Sequence, residues 1–239
     1  MFALSIGCGA SIDLEFCPGV SDCSTSSDSG DSVTYTNVFF DDFNRADQPL
    51  DDSRWDTITA GGSTIDVDSN EVKTDTNGGA FNPIGFYNVL NSDTISRISI
   101  QMNLTGNNFG AAVTDGAFAI FGRSQSVASN ANTYICGINE AVALSQELVV
   151  FSVVGGAPGV VTRGGTPPLA SGDVYTLTLT INGSSLTCSM TQTSGGAFSS
   201  SISMTDSNFS NGYHGFGQGK SGAADGEMRM DDFLIEQGS

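Results

Sequence analysis

Basic side chains are scarce in this sequence: eight Lys and Arg and a single His stand against 26 Asp and Glu, a net charge of -18 over 239 residues. So few cations cannot neutralise a phosphate backbone, which excludes a nucleic-acid-binding role. No run approaches the 18 or more apolar residues of a membrane-spanning helix, so membrane insertion by a helix is not expected. The opening MFALSIGCGAS lacks a basic n-region and does not read as a secretory signal. Only 14% of residues are charged, and the long-chain Lys, Arg and Glu that favour helices are few. A helical bundle or an α/β enzyme is a poor fit to that composition.

Turn formers and β-branched residues fill the space instead, with 30 Gly and many Ser, Thr and Asn. This composition points to a turn-rich β protein. Apolar alternation confirms the direction. In TISRISIQMNL, Ile98, Ile100, Met102 and Leu104 alternate with polar neighbours, as a half-buried antiparallel strand requires. VYTLTLTING sets Tyr175, Leu177, Leu179 and Ile181 in phase, turns at Asn182-Gly183, and is answered by Leu186, Cys188 and Met190. ELVVFSVVGG is apolar on both faces and reads as a strand buried on both sides. Eleven or twelve short strands in all, no helical period and no fixed repeat predict a two-layer antiparallel sandwich over residues 35–239.

Residues 1–34 form a separate arm with five acids and no base. Its second half is a Ser-rich acidic linker. Its first half carries Leu4, Ile6, Ile12, Leu14 and Phe16 in short alternating runs suited to adding a strand to a sheet edge or a neighbouring subunit, and these are the candidate partner-docking residues. Of the five cysteines, Cys17 and Cys23 are close enough for a small loop-closing disulfide, whereas Cys136 and Cys188 sit in strand-like runs and read as free buried thiols. Cys8, Cys17 and Cys23 have no second CxxC or nearby His and are poorly spaced for a zinc site.

The segment FFDDFNRADQPLDDSRWDTI, with Phe40, Asp42, Phe43, Asn44, Arg45, Asp47 and Trp55, resembles the opening strand and turn of concanavalin-like, laminin-G-like jelly-roll domains found in bacteriophage and bacterial surface proteins. The end of the chain, GYHGFGQGKSGAADGEMRMDDFLIEQ, with Asp231, Asp232 and Phe233, resembles the strand that returns beside the first in that fold. Physically, Phe40, Phe43 and Trp55 are expected to anchor the first strand, with Asp42 pairing Arg45 or capping the turn. Asp41, Asp42, Asp47, Asp51 and Asp52 form an oxygen-rich patch where a structural calcium is conceivable, though no EF-hand pattern is present and no metal ligands are assigned.

The resemblance serves sugar-binding, hydrolytic and structural proteins alike. Glycosidases on this scaffold carry Glu, Asp and Glu closely spaced on one strand, a run absent here; Glu227, Asp231 and Glu236 are irregularly spaced, and Glu140 and Glu147 lie on different segments. His214 has no nucleophile and acid motif beside it and reads as a packing or surface residue. No catalytic residues are expected. For a lectin-like site, Asn107, Asn108, Phe109, Asn132 and Tyr134 are the candidates, supplying amides and stacking aromatics from loops. The resemblance and the arm together imply a structural component of a tailed bacteriophage virion, with other capsid or tail proteins and further copies of itself as partners. Carbohydrate binding is the alternative.

Overall fold

The computed structural model describes residues 33–50, 52–59, 62–76, 83–103, 116–128, 131–140, 146–165, 167, 169–170, 172–220 and 226–239. Residues 1–32 of the arm, including all five candidate docking residues and Cys8, Cys17 and Cys23, lie outside them. The described chain is all-β, with no helix, and forms two antiparallel sheets packed face to face.

The first sheet contains β1 (Tyr35–Asp41), β2 (Gln48–Pro49), β4 (Thr64–Asp68), β5 (Glu71–Thr76), β7 (Ile95–Asn103), β12 (Val174–Asn182), β13 (Ser185–Ser194), β14 (Ser199–Thr205) and β16 (Gly226–Gly238). Their order is β14-β13-β12-β7-β16-β5-β4-β2, with β1 also on β16. The second contains β3 (Trp55–Ile58), β6 (Ile84–Asn91), β8 (Gly116–Ser124), β9 (Thr133–Glu140), β10 (Gln146–Val154), β11 (Ala157–Gly164) and β15 (Gly212–Lys220), in the order β11-β10-β9-β8-β15-β6-β3. Sixteen strands replace the expected eleven or twelve: residues 64–76 are a hairpin where one strand was expected, and the short β2 and β3 and the hairpin partner β11 add the rest. Residues 64–76 turn through Ser69 and Asn70, both at positive φ, and the β10–β11 pair turns through Gly155 and Gly156, also at positive φ. Two successive left-handed residues match the strand twist that a two-residue loop must continue. The β12–β13 loop is Gly183-Ser184, one residue later than expected, with Asn182 still paired to Ser185.

The core between the sheets follows the alternation. Ile98, Ile100 and Met102 of β7, Tyr175, Leu177, Leu179 and Ile181 of β12, and Leu186, Cys188 and Met190 of β13 face Phe118, Ile120, Ile138, Leu148, Val150 and Phe216 of the second sheet. A second, smaller apolar cluster (Ile84, Phe86, Ala119, Phe121, Ile135, Val153) forms from the opposite side chains of the second sheet. Gly215 makes room there: a Cβ would lie 2.7 Å from the Phe86 ring and 2.2 Å from the Gly85 carbonyl.

Cys136 of β9 and Cys188 of β13 are joined in a disulfide, with Cα atoms 5.3 Å apart, which corrects their reading as free thiols. Alternation places both inward, but only the stacking of the sheets brings two strands 52 residues apart into register. The bond therefore ties one layer to the other. The opening motif makes a second tie. Asp41, only 3% exposed, accepts hydrogen bonds from the Phe43 main-chain N–H (2.9 Å), the Arg45 guanidinium (2.7 Å) and the Trp55 indole (2.8 Å), and Arg54 lies 3.4 Å away. Asp41 ends a strand of the first sheet and Trp55 opens one of the second.

Of the two roles expected of Asp42, pairing with Arg45 falls to Asp41, whereas the turn cap is borne out. Asp42 is exposed and caps the turn by accepting from the Asn44 N–H at 3.1 Å. Phe40 is likewise not an anchor: it is 51% exposed, and Phe39 takes the inward place, stacking on Tyr87 at 3.8 Å and meeting Trp55 at 5.6 Å. Past a bulge between Asn37 and Phe39, the strand alternates regularly, with Phe39, Asp41 and Phe43 inward and Phe40 and Asp42 outward. Phe43 and Trp55 are buried as expected, and Phe216 and Phe233 complete the aromatic cluster at 5.2 and 5.1 Å from Trp55.

In β16, residues up to Met230 pair with β5 and residues from Phe233 pair with β1. The register slips between, with Asp232 at φ 51° and its carboxylate accepting from the Gln101 amide at 2.5 Å. Asp231 and Asp232 thus mark the changeover of partners.

Two stability outcomes follow. Cys136→Ala with Cys188→Ala removes a cross-link spanning 52 residues and is expected to cost about 4 kcal/mol by loop-closure entropy, lowering Tm on the order of 10 °C in a thermal melt. Asp41→Ala leaves buried donors unpaired and should cost about 3 kcal/mol or more in urea unfolding, whereas Asp42→Ala should cost under about 1 kcal/mol; equal costs would refute the assignment of the lock to Asp41.

Candidate docking groove and the loop end

Of the five residues expected to form a sugar site, Asn107, Asn108 and Phe109 lie outside the described residues. Asn132 precedes β9; its side-chain oxygen accepts from the Gly155 N–H at 2.9 Å and its carbonyl from the Gln125 N–H at 2.9 Å, so it braces the β10–β11 turn. Tyr134 is fully buried, which corrects its reading as a stacking surface. Its ring packs 5.0 Å from Phe209, and its hydroxyl donates to the Asp206 carboxylate (3.1 Å) while accepting from the Phe209 N–H (2.9 Å). Burial, with Asp206 beside it, pushes its hydroxyl pKa up to about 12. It holds the β14–β15 loop in place.

Beside it, Arg123 is buried and organises the same end of the sandwich. Its guanidinium donates to the carbonyls of Asp93, Thr94, Gly183 and Phe209 at 2.9–3.1 Å, gathering the β6–β7, β12–β13 and β14–β15 loops. The Arg123 main-chain N–H donates to Nδ1 of His214, which is fully buried. Burial, reinforced by the Arg123 charge, pulls the His214 pKa down to about 3. His214 is thus a neutral core residue, consistent with packing. Sequence reading missed Arg123, because a lone Arg at a strand end carries no signal of the loops that converge on it.

On the first sheet, Asp231 and Asp232 are half-buried near Asp42 and Glu71. Burial, then neighbouring carboxylates, pushes Asp231 up to about 7, and burial and Asp42 raise Asp232. Among the described residues, no group of three or more His, Cys, Asp or Glu is placed to hold a metal ion. In the opening acidic patch, Asp41 and Asp52 are paired with Arg45 and Arg54, and Asp47 accepts from the Ser69 N–H. Two guanidinium groups thus meet the charge of Asp41 and Asp52.

A groove of about 240 Å³ with a mixed lining opens beside β1 and β6, with Asn91, Ser92 and Gln237 among its polar residues. Val38 of β1, Val89 and Leu90 of β6, and Tyr87 and Ile235 line it, with Asp93 at its rim. Val38, Val89 and Leu90 are 46–52% exposed, and Phe40 projects from the same strand. Among the described strands, β1 pairs with β16 alone, and beyond Asn88 β6 pairs with β15 alone. Main-chain edges and aliphatic side chains are therefore available together, which suits recognition of an extended strand.

No protein-family model and no curated protein matches the sequence. Solved structures do match. The chain is similar to the CBM2 module of the evolved Dit of Lactobacillus casei BL23 phage J-1 (14% identity, TM-score 0.59, covering 86% of this chain and 97% of that one). It is also similar to lectin UEA-II complexed with galactose, from Ulex europaeus (10%, 0.56, 84% and 100%), and to a legume lectin-like domain from Entamoeba histolytica (14%, 0.56, 77% and 90%). The chain therefore has the concanavalin-like, laminin-G-like jelly-roll fold that its opening and closing motifs resemble.

The two shifted groups bend the pH dependence of stability in opposite senses. His214 binds its proton more readily unfolded (near 6.5) than folded (about 3), so its contribution is present above 6.5 and is lost as pH falls, by about 1.4 kcal/mol per pH unit. Asp231 holds its proton more tightly in the fold (about 7 against 3.8), so its contribution is present below 3.8 and is lost as pH rises towards 7. Urea titrations should show Asp231→Asn gaining stability over the parent at pH 8 but not at pH 4; a constant difference across that range would refute the burial of Asp231.

Proposed function

We propose that the chain is a structural component of a tailed bacteriophage virion, a capsid decoration, head fibre or tail-associated protein, that works by protein–protein contact. The observation that carries this is the exposed groove beside β1 and β6. Three of the seven large apolar side chains exposed among the described residues, Val38, Val89 and Leu90, line it, and Phe40 is exposed on the same strand as Val38, on an acidic, polar protein. Such a patch marks an interaction surface. The likeness to a module of a phage Dit protein supports a virion setting, and Leu4, Ile6, Ile12, Leu14 and Phe16 supply a docking segment. Partners are then other capsid or tail proteins and further copies of the chain.

A second reading, binding of a cell-surface carbohydrate, is favoured by the likeness to a carbohydrate-binding module and to lectins. Burial of Tyr134 weighs against the site expected for it, leaving Asn107, Asn108, Phe109 and Asn132 as its candidates.

Electron cryomicroscopy of the native particle containing this chain separates the two. The sandwich should be found on the capsid or tail with the β1–β6 edge facing a neighbouring subunit. A chain that is absent from the particle and binds glycans on an array overturns the structural reading.

A further inference from the structure

Three exposed large apolar side chains lie away from the groove, Val154, Val160 and Val161, all on the β10–β11 hairpin. They stand at the side of the sandwich where the sheet orders end in β11 and in β14. We infer that two copies of the chain join through this side, with β11 of each copy pairing along the edge of β14 of the other. The inference takes a further copy as partner from the proposed function and names the surface by which the copies meet.

An edge strand presents a row of main-chain N–H and C=O groups, and monomeric proteins block such rows with charge, proline, bulges or short length. Most edges here are blocked in this way. β2 is two residues long and ends in Pro49, β3 is four long and carries Asp56, and the start of β11 carries Pro158 and a register shift. β14 has none of these devices. Its sequence is Ser-Ser-Ser-Ile-Ser-Met-Thr, and it pairs with β13 over Ser199–Thr205 without a shift and, among the described residues, with no other strand. The regular part of β11, Val161–Gly164, likewise pairs with β10 alone among them.

Charge selects the occupant. The chain carries a net charge of -18, so two copies repel wherever their acids face each other. At the other ends of the sheets stand Asp47, Asp52, Asp56, Asp66, Asp68 and Glu71. β10, β11, β13 and β14 together hold one acid and one base, Glu147 and Arg163, which pair at 3.6 Å. A basic partner is drawn to the acidic ends, whereas an equally acidic copy approaches most readily where charge is absent. Strand direction fits as well. Added Cβ atoms on Gly164 and Gly165 would meet Ile202 and Ser200 in turn, so β11 and β14 run in opposite senses where the layers meet. A two-fold axis along the strands and between the layers preserves that sense, and it sets β11 beside the partner's β14 as an antiparallel pair in both layers at once. Val161, opposite Phe151, and Ser201, opposite Ser189, each lie on the outer face of their own sheet and share one face across such a junction. No residue of the groove belongs to either strand, so the surface offered to virion proteins stays open.

Sedimentation equilibrium of the full-length protein at about 10 μM should show a dimer. Two double variants then test which strands meet. Val161→Lys with Ser201→Glu sets opposite charges across each junction, and Val161→Lys with Ser201→Lys sets like charges there. Both side chains are exposed, so the far-ultraviolet circular dichroism of either variant should match the parent. The Lys–Lys variant should dissociate at least about tenfold more readily than the Lys–Glu variant. Pairing of β11 with β11, or of β14 with β14, would weaken both variants alike, and that result overturns the inference. So does a parent chain that is monomeric at this concentration, or a dimer that is lost in Leu90→Asp and kept in the Lys–Lys variant, which would assign self-association to the groove. Because the assay uses the isolated protein and leaves the groove unaltered, its failure is distinct from absence of the chain on a virion.

Discussion

The Asp41 carboxylate holds the two layers of this sandwich in one arrangement at the start of the chain. It receives a main-chain N–H, an indole N–H and a guanidinium within 3.0 Å, from residues on both sides of the interface. A buried carboxylate is tolerable only when its lone pairs are filled and its charge is met, and both conditions hold here. Its position also sets the aromatic cluster, because the indole it grips is the hub around which Phe39, Phe43, Phe216 and Phe233 pack. The Cys136–Cys188 bond performs a comparable task between β9 and β13, and Thr74 of β5 donates to the Gln218 side chain of β15 between them. The layers are thus pinned by one ionic, one covalent and one neutral polar contact.

Much of the architecture was legible because it rests on period. The alternation in β7, β12 and β13 placed Ile98, Ile100, Met102, Tyr175, Leu177, Leu179, Ile181, Leu186, Cys188 and Met190 inward correctly, Leu104 lying outside the described residues, and the resemblance at the two ends named the fold that the solved structures share. What escaped detection had no periodic trace. The opening motif does not fix which of two adjacent residues turns inward, so Phe40 stood for Phe39, and Asp42 for Asp41 as a partner of Arg45, until the pairing of β1 with β16 set the phase. Ser69 and Asn70 hid a hairpin because neither announces a left-handed turn as glycine does. The disulfide depended on stacking between sheets, which no spacing along the chain encodes.

The site was less legible than the fold for the same reason. Tyr134 has the composition of a sugar platform and the location of a core residue, and only the loop that closes over it decides between them. The groove drew its lining from β1, β6 and β16, segments far apart in sequence, each of whose apolar residues looked like ordinary strand interior. Exposure of Val89 and Leu90 follows from where β3 stops pairing with β6, a tertiary fact.

Arg123 grips its three loops by their main-chain carbonyls alone. Every residue type carries that acceptor, so the side chains at Asp93, Thr94 and Phe209 are not what the clamp reads. A surface built this way separates frame from decoration: its outward chemistry can be rewritten residue by residue while the loops keep their course. The end of the sandwich gathered by Arg123 is therefore a place where side chains can change at little cost to folding.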